Sequence, residues 1–78
     1  MGFAEILSGH MPSDVFKKYV LNNPGINRLD LGLDFDKFFP GLDGLSQIVV
    51  WKWKDGVLAD DEFDEVMVYI LKKGGYLK

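Results

Sequence analysis

The fold of this chain turns on the stretch Gln47-Ile48-Val49-Val50-Trp51-Lys52-Trp53-Lys54-Asp55-Gly56-Val57-Leu58-Ala59-Asp60-Asp61-Glu62-Phe63. Two readings compete. Residues 48–53 are rich in β-branched and aromatic side chains, and Asp55-Gly56 is a two-residue turn signal, so a short β-hairpin over residues 47–59 is one reading. Only Val57-Leu58-Ala59 would remain for the return strand, which pairs weakly at that length. Read as a helix through Lys54, the segment places Leu45, Ile48, Val49 and Trp53 along one side, and Gly56 becomes the left-handed stop. The expectation is a small, mostly α domain ending in a helix–turn–helix. The alternative is an α+β fold with the hairpin at 47–59.

Downstream, Phe63, Val66, Met67, Ile70 and Leu71 follow i, i+3, i+4, i+7, i+8, the stripe of an amphipathic helix over 60–73. Asp60 is placed as its N-cap. Asp61, Glu62 and Asp64 suit the positive end of the helix dipole, and Lys72 and Lys73 the negative end. Gly74-Gly75 ends it.

Upstream, a helix is expected from Asp14 to Asn22, with Ser13 accepting the backbone N–H of Phe16, and Val15, Phe16, Tyr19 and Val20 facing inward. Asn22-Asn23-Pro24-Gly25 closes it. Phe3, Ile6 and Leu7 form a turn or two of helix before Gly9, stable only if docked. Between these elements Leu29, Leu31, Leu33 and Phe35 alternate with Asp30, Gly32, Asp34 and Asp36. Period two favours a strand, although three Asp and a Gly suit one poorly. Pro40 leads into a turn at Gly41-Leu42-Asp43-Gly44, which lacks the Lys-Ser/Thr of a phosphate-binding loop.

Composition bounds the rest. A chain of 78 residues without cysteine supports one hydrophobic core, residues 1–78 as one domain, and no disulfide or thiolate metal site. At 47% hydrophobic residues it is too apolar to be a disordered acidic tail. The run Ile48-Val49-Val50-Trp51 falls far short of the ~20 residues of a membrane span. Met1-Gly2-Phe3-Ala4-Glu5 lacks the basic opening of a signal peptide, and Ile6 stands where myristoylation would want Ser or Thr. A cytoplasmic location is expected, with no membrane partner. Net charge is −3, and one Arg stands against eight Lys, so nucleic acid is a poor partner.

The segment Trp51-Lys52-Trp53-Lys54-Asp55-Gly56-Val57-Leu58-Ala59-Asp60-Asp61-Glu62-Phe63 resembles a recurrent helix–Gly–turn–helix unit. It is similar to short helical-hairpin domains at bacterial protein C-termini. It is also similar to helical repeats of archaeal secreted proteins, with paired Trp, then Gly-x-Ile/Leu, then an acidic cap before Phe. Tyr69, Ile70, Gly74 and Leu77 continue that spacing. The resemblance implies helix–turn–helix geometry and carries no function. Asp55-Gly56-x-Leu58-x-x-x-Glu62-Phe63 also resembles the second half of an EF-hand, with a fainter copy in Asp30, Leu33, Lys37 and Phe38. Its first two ligand positions would be Trp51 and Trp53, which offer no oxygen, so no calcium or other metal or cofactor is expected.

His10 is the only histidine, and Ser8, Ser13 and Ser46 sit at element boundaries where hydroxyls usually cap. No nucleophile–base–orienter set can be assembled, and so small a domain has little room for a desolvating cleft, so no enzyme is expected. Asp60, Asp61, Glu62, Asp64 and Glu65 crowd six positions and suit a protein partner with a basic surface. Trp51, Trp53 and Tyr69 are the candidate anchors. On a helix Trp51 and Trp53 point about 200° apart, which leaves one indole near the surface. Val68, Tyr69, Tyr76 and Leu77 read either as a wide core stripe or as an interface, self or foreign.

The function expected is a non-enzymatic interaction or regulatory module, similar in size and charge to many phage and viral accessory proteins, with a homo-oligomer as one option. The alternative is a nucleic-acid-binding helix–turn–helix or winged-helix protein. Against it, acids open the would-be recognition helix, where DNA readers place base contacts.

Overall fold

The contested stretch is helical. The computed structural model describes residues 2–42 and 44–77, and among them there is no strand. A 3₁₀ helix over Phe3–Ser8 precedes α1 (Pro12–Asn22), α2 (Arg28–Phe38), α3 (Leu45–Lys54) and α4 (Asp60–Lys73). The expected turn at Gly41-Leu42-Asp43-Gly44 includes Asp43, which lies outside the described residues.

Backbone chemistry after α3 explains why no hairpin forms. Gly56 adopts φ +79° and donates to the carbonyl of Trp53, while Val57 N–H donates back to the carbonyl of Lys52 at 2.8 Å. These two bonds are a Schellman closure, which uses the N–H groups a return strand would need. The same closure ends α4, where Gly75 (φ +86°) donates to Lys72 and Tyr76 N–H to Leu71 at 2.9 Å. α4 matches the expected 60–73 span. Its N-cap, however, is Ala59 rather than Asp60, and Glu62 accepts the Ala59 N–H at 3.1 Å.

Residues 29–36, where period two pointed to a strand and the acids and Gly32 against one, are helical. Asn27 caps α2 by accepting Asp30 N–H at 2.8 Å. Winding the alternating run into a helix buries Leu31 and Phe35, with Phe39 beyond them, and turns Leu29 and Leu33 outward. A strand would have put all four on one face, yet among the described residues there is no second strand to pair it. Helix suits the acids better too, because Asp34 accepts the Tyr19 hydroxyl at 2.6 Å and Asp36 the Ser46 hydroxyl at 2.7 Å. Gly32 lets α3 come close. A Cβ there would stand 3.3 Å from the indole nitrogen of Trp51.

α3 also faces differently from the expected side. Val50 is fully buried, with Val49 and Ser46, whereas Leu45 and Ile48 turn to solvent at 50% and 44% exposure. Helix α1 starts earlier than expected, with Pro12 in its first turn after the N-cap Met11. Ser13 therefore lies inside the helix and is no cap.

Rings fill the core. Phe16 is fully buried, and its ring lies 5.0–5.7 Å, centroid to centroid, from Phe3, Phe35, Phe63 and Trp53. Trp53 stacks on Phe63 at 5.0 Å, and Phe35 hands the chain of contacts to Phe39 and then Tyr76. Aromatic pairs at these separations contribute about 0.5–1.5 kcal/mol each beyond their buried area. The helices are held by this column, so α4 presents one face inward and leaves the opposite face bare.

Candidate functional site

The five acids of 60–65 do not act as one surface. Asp64 is turned inward and buried, accepting the backbone N–H of Ser13 at 2.7 Å and its hydroxyl at 2.9 Å. It corrects the reading of Asp64 as a binding residue. The carboxylate caps the first turn of α1 from another helix, meeting orphan donors at the positive end of the dipole. Asp60 points to the neighbouring helix, where it accepts Lys17 Nζ at 2.5 Å and the Trp53 indole N–H at 3.0 Å. Those bonds hold the Asp60 carboxyl below its ordinary range, the lysine first and the indole second, and the same pairing raises Lys17. Both groups are exposed, so the pair positions Trp53 more than it stabilises the fold.

The indoles are not surface anchors of equal kind. Trp53 is half-buried among Phe16 and Phe63. Trp51 lies on the other side of α3, over Gly32, with the Arg28 guanidinium 6.0 Å from its ring and its own N–H buried without an acceptor. Arg28 in turn pairs with Asp55 at 2.5 Å. Both indoles are partly covered, where a single surface indole was expected.

What remains outward on α4 is ordered along the helix. Asp61, Glu62, Glu65, Tyr69 and Lys72 are exposed and Val68 is half-exposed. Asp61, Glu65, Val68 and Lys72 recur at i, i+4, i+7, i+11, a single heptad stripe, with Tyr69 beside it. Tyr69 is 61% exposed. It stands at the edge of a groove of about 210 Å³ whose floor is Leu42, Leu45 and Ile70 and whose rim carries Lys73. Leu42 is seated against Gly74, where an added Cβ would fall 2.6 Å from its Cδ2. One turn from Leu45, Ile48 extends the apolar edge along α3.

A second groove, about 550 Å³ and shallow, opens at the α3–α4 turn between Val20, Leu21, Trp53 and Leu58, with Lys17, Lys54 and Asp60 at its rim. Leu45, Ile48 and Leu21 are exposed without having been read as surface residues, whereas Val20 packs against the core as expected. For Leu45 and Ile48 the one signal is that α3 carries more apolar positions than a single inward face can hold.

Among the described residues, no helix is long and apolar enough to cross a membrane. The chain matches no family model, no curated protein and no solved structure.

Proposed function

We propose that this chain is a non-enzymatic protein–protein interaction module, regulatory in character, whose docking face is the outside of α4 with the adjoining edge of α3. The observation that carries this reading is Tyr69, exposed at 61% beside the Leu42–Leu45–Ile70 groove and on the same face as Asp61 and Glu65. A tyrosine offers a large rigid contact area and a polar tip at low entropic cost, the character of an interface anchor. Two carboxylates a turn or two away supply steering toward basic groups on the partner. A duplex approaching α4 would meet Asp61, Glu62 and Glu65 first, which disfavours the nucleic-acid alternative.

The test uses the full chain as bait in extract of its source cell, beside a variant carrying Asp61→Lys, Glu65→Lys and Tyr69→Ser. All three positions are exposed, so the fold should persist, checked by circular dichroism. A protein held by the wild type and released by the variant, then shown with purified components to associate at least about tenfold faster at low than at high salt, supports the reading. Equal capture by both baits overturns it.

A further inference from the structure

We infer that the partner seated on this face is a second copy of the chain, with the two α4 helices antiparallel across a two-fold axis passing between Val68 and Tyr69. This rests on the docking face just proposed and names its occupant.

The outer face of α4 is acidic at one end and basic at the other. Glu65 and Lys72 are two turns apart on the same stripe, and the midpoint between them falls between Val68 and Tyr69. Turning a second helix end for end about that point sets each Glu65 opposite the other copy's Lys72. The two Val68–Tyr69 pairs then meet at the centre, and each Tyr69 comes within reach of the opposite Leu42–Leu45–Ile70 groove. An isologous contact of this kind closes on itself.

Local helix chemistry does not explain the pattern. Helix-dipole compensation covers the first and last turns, hence Asp61 and Lys72, but Glu65 lies beyond the first turn. Solvated helices commonly set Glu and Lys four apart. Here the pair at that spacing is Asp61 and Glu65, which repel each other. None of Asp61, Glu65, Lys72 and Lys73 has an ion-pair partner among the described residues. A foreign partner basic enough to satisfy Glu65 would be repelled by Lys72 and Lys73. A second copy brings both signs in the required order. A standard interface takes about 800 Å² from each partner. That is about a sixth of this molecule's 4780 Å² of surface, within reach of α4's outer face plus Leu45 and Ile48.

The test is sedimentation equilibrium of the full chain over a concentration series, with charge swaps. Wild type should show a monomer–dimer equilibrium. Glu65→Lys alone and Lys72→Glu alone should each weaken it at least about tenfold, by setting like charges opposite each other. The double variant Glu65→Lys/Lys72→Glu should return to within about threefold of wild type, because the swapped pairs are again complementary. Tyr69→Ser should weaken it without disturbing the circular dichroism spectrum. A wild type that stays monomeric, or a dimer that the single swaps leave unchanged or the double swap does not rescue, overturns the antiparallel pairing. If monomeric wild type still holds a foreign protein in a Tyr69-dependent way, the docking face stands and only its occupant was wrong.

Discussion

The carboxylate of Asp64 in α4 receives both the backbone N–H and the hydroxyl of Ser13 in α1, at 2.7 and 2.9 Å, across 51 residues of chain. The contact is buried, so neither donor has water as a substitute. Asp64→Asn keeps the shape but trades a charged acceptor for an amide that presents donors toward donors. It should destabilise by about 1–3 kcal/mol, and Ser13→Ala by about 1 kcal/mol. At this chain length each kcal/mol shifts the midpoint by about 4–8 °C, which thermal circular dichroism resolves easily. An unchanged midpoint in Asp64→Asn would show that the cap is ornamental.

Phe16 is fully buried and meets four other rings. Phe16→Ala leaves a cavity bordered by rings from the 3₁₀ helix, α2, α3 and α4, at a cost of about 3–5 kcal/mol. Small domains hold little more than that in total, so urea melts should show the variant largely unfolded in buffer. Phe16→Leu keeps most of the volume and should remain folded with a lower urea midpoint.

Tyr19 supplies a pH handle. Its hydroxyl donates to Asp34, and that bond, aided by burial and by the Asp34 charge, pushes the phenol up to about 12. The unfolded chain releases this proton near pH 10, so the contribution is whole below pH 10 and is lost as pH rises toward 12. The hydroxyl end faces solvent, which limits the effect to about 1 kcal/mol or less. Absorbance titration near 295 nm should show a late tyrosinate step that is missing in Tyr19→Phe. Identical titration curves for the phenols shared by the two proteins, with no extra late step in wild type, would contradict the assignment.

Two glycines should respond in opposite ways to a methyl group. Gly56 sits at φ +79°, so Gly56→Ala strains the backbone by about 1–2 kcal/mol although nothing crowds its Cβ. Gly32 is helical, and Ala there gains up to about 1 kcal/mol of helix propensity. That gain is set against the 3.3 Å approach of the half-buried Trp51, which has to give by a few tenths of an ångström. Chemical denaturation should find Gly56→Ala destabilised and Gly32→Ala close to neutral. Gly32→Val, which has more bulk, should cost about 1–3 kcal/mol and alter Trp51 fluorescence.

The candidate face was half legible. Asp61, Glu62, Glu65 and Tyr69 were identified from the sequence and all lie outward on α4. Leu45 was expected inside with Ile48, and the groove it lines with Leu42 was not anticipated. Which side of α3 turns inward depends on how α2 and α4 clamp it, and Gly32, nowhere near α3 in sequence, decides how closely α2 approaches.

The amino-acid order by itself determined the amphipathic helix over 60–73 and its stop at Gly74-Gly75. It offered the helix through Lys54, with its stop at Gly56, as one of two readings, beside a hairpin over 47–59. Those features rest on capping, closure and periodicity, which act through backbone hydrogen bonds over four or five residues. Tertiary structure decided between strand and helix for Leu29 to Phe35, because a period-two run can bury apolar residues as either, and here Phe35 meets Phe3 and Phe16 from other elements only in the folded core. Tertiary structure also decided that Asp64 is a buried cap while Asp61 and Glu65, on the same helix, face outward. A carboxylate's role follows the donors brought to it, and for Asp64 those donors come from Ser13, far away in sequence and adjacent only after folding.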